Sequence, residues 1–75
     1  MKQKTANELE LEEIGIVHKI IGGETIKRRL LDLGLIEGTS IKPVLISPSG
    51  DPRAFEFRGS LIAIRKEDAE NIKLK

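Results

Sequence analysis

The chain has no cysteine, tryptophan or tyrosine, and only two phenylalanines, one histidine and one methionine. Without thiols there is no disulfide framework and no thiolate site for zinc or an iron–sulfur cluster. The same lack fits a reducing compartment. His18 is the one imidazole, so a soft or borderline metal finds no usual ligand set and no metal or cofactor is expected. No D-x-D-x-D-G spacing marks a calcium loop. Long apolar runs are absent too, so no membrane span is expected. Met1-Lys2-Gln3-Lys4-Thr5 has no apolar stretch behind it, so no signal peptide is expected. An excess of one charge is also missing. Thirteen Lys and Arg stand against twelve Asp and Glu, a net +1. That balance argues against a phosphate-binding surface, because non-specific nucleic-acid affinity comes from clustered cations.

What is present is branched aliphatic side chains in short patterns. The 75 residues make one domain, 1–75, with residues 1–4 frayed. Domains of this size carry roughly 3–5 kcal/mol of net stability. The core must come from Ile, Leu and Val with Phe55 and Phe57. The organising stretch is Arg29 to Thr39. Ile26, Leu30 and Leu33 recur at i, i+4, i+7 and place one face of a helix, 24–33, toward the core. Gly34 suits a left-handed C′ position, with Leu35 at C″ packing back on Leu30 as in a Schellman ending. Gly38 marks the next turn before β-branched Thr39 and Ile41.

The remaining elements follow in order. Thr5 and Glu8 form an S/T-x-x-E capping box on one helical turn. A strand over 13–21 has Ile14, Ile16 and Ile20 on its buried face, with His18 sharing their parity as a partly buried structural side chain. Gly22-Gly23 breaks it. A second strand over 40–47 contains Pro43, which donates no ladder hydrogen bond and so lies at an edge or a bulge. Ser47-Pro48-Ser49-Gly50-Asp51-Pro52 is the clearest loop. In 53–58, Phe55 and Phe57 share a face. Gly59-Ser60 is a hairpin turn. The 61–65 strand is apolar on both faces and reads as central. Lys66 to Asn71 suits a helical turn, and 72–74 is a closing strand. Five short strands with one helix beside them predict a mainly β fold, a small closed or nearly closed barrel.

No catalytic constellation is found. The serines lie in turns or at strand ends, and a nucleophile needs an oriented base. Isolated glycine turns at Gly22-Gly23 and Gly50-Asp51 lack the G-K-[ST] context of a phosphate loop. The acidic clusters Glu10/Glu12/Glu13 and Glu67/Asp68/Glu70 read as solvated turns. The protein is therefore expected to act by contact. Lys27-Arg28-Arg29 is the only basic run. Arg28 and Arg29, with Leu31 and Leu35 beside them, are the candidate docking flank: apolar side chains with a charged rim. Asp51 and Pro52 form a second candidate contact in a rigid loop. Gly34, Gly38, Gly50 and Gly59 are the structural glycine turns.

Three blocks in register, Arg29-Leu-Leu-Asp-Leu-Gly-Leu-Ile-Glu-Gly-Thr39, Gly50-Asp51-Pro52 and Ile62-Ala-Ile-Arg-Lys-Glu-Asp-Ala69, resemble the FeoA family over about Leu9 to Leu74. The resemblance implies an SH3-like barrel. It implies a cytoplasmic, non-catalytic accessory of bacterial ferrous iron uptake, partnered by FeoB, a membrane transporter with a cytosolic G-protein domain. The family is also described as associated with transition metals. Three positions depart from its pattern. Ala6 stands where the family often has Leu, Glu12 where Gly is common, and Ser49 where an apolar residue is usual. These imply a looser N-terminal turn and a more polar loop. The alternative reading is the SH3-like regulatory domain of an iron- or manganese-dependent repressor, which resembles FeoA; no DNA-binding helix pair accompanies it here. A single-stranded nucleic-acid barrel would need surface aromatics and a cationic groove. A proline-peptide SH3 domain would need an aromatic-lined groove.

Overall fold

The computed structural model describes residues 4–75. After a 3₁₀ turn at Ala6–Glu8 come β1 (Gly15–Ile20), α1 (Glu24–Asp32), β2 (Ser40–Ile46), β3 (Arg53–Phe57), β4 (Ser60–Ile64), α2 (Lys66–Ala69) and β5 (Ile72–Leu74). The strands form one antiparallel sheet in the order β4-β3-β2-β1-β5. Its inner face carries Val17, Ile41, Phe55, Phe57, Ile64, Ile72 and Leu74, and Leu30 and Leu35 close over it.

Lys4, where the polar sequence predicts fraying, and Thr5 are tied to β5. Lys4 accepts the Leu74 N–H at 2.8 Å, and Thr5 bridges Lys73. The rest of that segment, residues 1–3, lies outside the described residues. Thr5 N–H donates to Glu8 Oε1 at 2.8 Å, the return half of the capping box. Ala6 is fully buried in this turn. Glu12 takes φ 69°, a left-handed conformation that explains why glycine suits this position.

In β1 the buried parity is Gly15 and Val17, not Ile14 and Ile16; Ile14 is 65% exposed. A Cβ on Gly15 would lie 2.9 Å from Leu74 Cδ1 and 3.0 Å from Leu9 Cδ1, so only glycine fits inward there. His18 is the extra residue of a bulge, since Val17 pairs Leu74 and Lys19 pairs Lys73. The bulge flips the parity and returns Ile20 to the core. A second bulge follows Pro43, which is fully buried opposite Phe55 in the middle strand. Of the two positions open to that proline, the bulge is the one taken.

α1 ends as the glycine requires. Gly34, at φ 101°, donates to Leu31 O at 2.9 Å, and Leu35 donates to Leu30 O at 3.2 Å, the paired bonds of a Schellman motif. Leu33 sits at the C-cap and is 37% exposed, so the apolar stripe stops at Leu30 and Leu35 takes the place of Leu33 in the core. The β3–β4 turn is Arg58-Gly59, both at positive φ (52° and 78°), one residue earlier than Gly59-Ser60. β4 is an edge strand, not a central one, and Leu61 is 58% exposed. Its two apolar faces arise because Ile62 and Ile64 turn inward while Leu61 and Ala63 turn to solvent.

Candidate partner-contact surface

α1 is amphipathic, with Leu30 as its buried side chain and Ile26 packed partly against the core. Its outer face carries Arg28, without an ion pair among the described residues, and Leu31, 46% exposed. Arg29 is differently placed. Its Nη2 donates to Asp68 Oδ2 at 2.8 Å, and Asp68 is 8% exposed. The sequence pattern puts this aspartate in a solvated turn; a pair 39 residues apart leaves no local signal. Leu35 is fully buried and so is removed from the docking flank. Leu33 and Ile36 (47% exposed) lie outward near the helix end instead.

The loop after β2 is ordered by its own hydrogen bonds. Ser47 Oγ donates to Pro52 O at 2.9 Å, and Ser49 Oγ to Asp51 O at 2.9 Å. Gly50 supplies φ 88°. Asp51 Oδ1 accepts the Lys66 N–H at 2.8 Å and thereby caps α2 from outside that helix. Pro52 is exposed. The two candidate contact regions therefore meet on α2: the loop through Lys66, the helix flank through Asp68.

Two further clusters bear on chemistry. His18 Nδ1 lies 3.8 Å from Glu37 Oε2, and Lys75 Nζ lies 3.5 Å from the same oxygen. A lysine ammonium beside the carboxylate competes with any cation there, so this donor set does not fit a transition metal. Among the described residues no group of three or more His, Cys, Asp or Glu side chains could hold a metal ion. The Glu13 carboxyl lies below its ordinary value because it accepts the Glu10 N–H at 2.8 Å and meets the Lys4 ammonium at 3.1 Å. The hydroxyls of Thr39, Ser47 and Ser49 donate to backbone carbonyls rather than to the imidazole, so no nucleophile is paired with a base there. No helix among the described residues is long and apolar enough to cross a membrane.

These features define a class: a small, mainly β module with a five-stranded sheet and one amphipathic helix. The chain belongs to the FeoA family, whose FeoA-domain model matches residues 4–75. It is 31% identical to a FeoA-like protein of Clostridium acetobutylicum, with a TM-score of 0.90, covering 100% of this chain and 87% of that one. It is 25% identical to the zinc-complexed FeoA of Stenotrophomonas maltophilia, described as a prokaryotic SH3 domain protein, with a TM-score of 0.85 over 96% of this chain and 89% of that one. A fusion of Fe(2+) transport protein A with the Fe(2+) transporter FeoB, from Porphyromonas gingivalis, is 25% identical over 69 residues. That match covers 92% of this chain and 8% of the fusion protein's length.

Proposed function

We propose that this chain is a cytoplasmic, non-catalytic accessory of ferrous iron uptake that acts by contact with a FeoB-like transporter. The observation that carries the reading is the fusion relative, in which a homologous segment and a FeoB transporter share one polypeptide. Covalent linkage of that kind suits two partners that work side by side. The sheet, on this reading, curls into an SH3-like barrel that stays open between β4 and β5.

The contact is assigned to the outer flank of α1. Arg28 carries a charge without an ion pair among the described residues, beside exposed Leu31, a pairing of anchor and rim that suits an interface with an acidic surface. Arg29 serves this flank from behind, by holding α1 to α2 through Asp68. Asp51 and Pro52 form the second contact, at the N-terminus of α2. Gly34, Gly38, Gly50 and Gly59 shape turns, each at positive φ.

The experiment is Arg28→Glu, with an unchanged melting curve shown first. Binding to the transporter, scored by pull-down from membranes against an unrelated barrel, should fall, most clearly at low salt. Ferrous uptake should fall with it. Normal binding and normal uptake by the folded variant would remove α1 from the contact.

A further inference from the structure

The two edges of the sheet are treated differently. The β5 edge is covered: Lys4 accepts the Leu74 N–H, and Thr5 bridges Lys73. β4, at the other edge, has no strand or bridge beyond it among the described residues. Its backbone polarity follows from the hairpin. A two-residue turn at Arg58-Gly59 makes Phe57 and Ser60 a hydrogen-bonded pair. Alternation then makes Phe55–Ile62 and Arg53–Ile64 hydrogen-bonded pairs, and Glu56–Leu61 and Ala54–Ala63 non-hydrogen-bonded ones. The N–H and C=O groups of Leu61 and Ala63 therefore point away from β3, along the bare edge.

Nothing in the strand protects that edge. Ser60–Ile64 holds no Lys, Glu or Pro, and its register with β3 runs through five consecutive pairs without a bulge. Leu61 and Ala63 share the outer face with Ala54 and with Leu45, which is 62% exposed.

Charge decides the occupant. Arg65 and Lys66 lie just after β4, and neither has an ion pair among the described residues. Arg58, just before it, is turned toward the start of β2, where its Nη2 donates to Thr39 Oγ1 at 3.3 Å. The nearby carboxylates of Glu56 and Asp51 are engaged, with Lys42 and with the Lys66 N–H. A second copy pairing antiparallel about Ile62 would bring its Arg58 opposite Lys66 at both ends, like charge against like. We propose that the β4 edge takes up an extended protein segment by strand addition, apolar along β4 and acidic where it meets Arg65 and Lys66. Leu61 and Ala63 supply the hydrogen-bonding backbone, and Arg65 and Lys66 fix its charge. This surface is separate from the α1 flank.

The test uses the full chain, isotope-labelled, and capped peptides of about seven residues, the length of a short strand. The probe alternates valine and threonine and ends in glutamates. It should slow amide exchange at Leu61 and Ala63 and leave Ile62, already bonded to β3, unchanged. The same peptide ending in lysines should bind about tenfold more weakly. N-methylation of the peptide nitrogens that face β4 should abolish binding. Ala63→Pro removes an outward donor and should abolish it as well; if that variant does not fold, Leu61→Lys, which places a charge on the edge face, should weaken binding in its place. Absence of slowed exchange at Leu61 and Ala63, or equal binding by the lysine-ended peptide, overturns the proposal. So does concentration-dependent protection of these amides without peptide, which would assign the edge to a second copy.

Discussion

Arg29 reaches across from α1 to Asp68 on α2, with Nη2 and Oδ2 2.8 Å apart. The pair is lopsided: the arginine side chain is 55% exposed and the aspartate 11%. Removing the arginine strands a nearly buried carboxylate. Arg29→Ala should therefore lower stability by about 1–2 kcal/mol after allowance for solvent screening. Arg28→Ala should change it by less than about 0.5 kcal/mol. Urea midpoints for the two variants check this; equal midpoints would leave the ion pair without energetic weight.

Gly34→Val should cost at least about 1–2 kcal/mol, because φ 101° is a region a β-branched residue rarely enters. Space is not the obstacle. The nearest atom to an added Cβ is Arg58 Cδ at 3.7 Å, an ordinary contact. Gly23→Ala is the control: its φ is −73° and nothing lies within 4 Å of an added Cβ. The control should melt close to the parent, because the chain entropy gained by replacing glycine is offset by the poorer fit of alanine at the N-cap of α1.

Glu12→Gly should raise stability by up to about 1 kcal/mol. Relief of the left-handed strain at φ 69° exceeds the extra entropy that glycine loses on folding. The Glu12–Lys42 contact, 3.7 Å apart with the glutamate 65% exposed, is too solvated to offset that gain. Thermal melts of the variant would show the sign directly; a lower midpoint would mean that the side chain matters more than the backbone.

The carboxyl of Glu13 gives a pH dependence with a defined sign. Its folded value lies below 4.5, so the bonds to Glu10 N–H and the Lys4 ammonium stabilise the fold fully above that value. The contribution is lost as pH falls through the lower folded value. Glu13→Gln should melt below the parent at neutral pH, and the gap should close as pH falls below the lowered folded value. A gap that widens toward acid would reverse the assignment.

Local chemistry carries much of this fold. Gly34 followed by Leu35 specifies the helix ending, Thr5 with Glu8 specifies the first turn, and the alternation of Phe55 and Phe57 specifies a half-buried strand. Pro43 marks a bulge because a missing donor admits few other positions. The mismatches have one physical origin, long-range register. The bulge at His18 inverts the parity of β1, and no glycine or proline there announces it. Leu61-Ile62-Ala63-Ile64 has the composition of a central strand, and only pairing places it at the edge. At the candidate site, Arg28 and Leu31 are legible from helical periodicity. The burial of Leu35 follows from the Schellman ending and outweighs its place beside the basic run. Asp68 is hidden because its partner lies on another element.

The backbone bond from Leu74 to Lys4 sets the exits of the chain as well as the edge of the sheet. Polypeptide arriving at Lys4 and polypeptide departing after Leu74 meet at one corner, on paired extended segments about 5 Å apart. A module with doorposts this close can be threaded into a larger protein as a cassette, by either end or by both, without stretching its host. The β4 edge, at the opposite margin of the sheet, stays free whichever way it is joined.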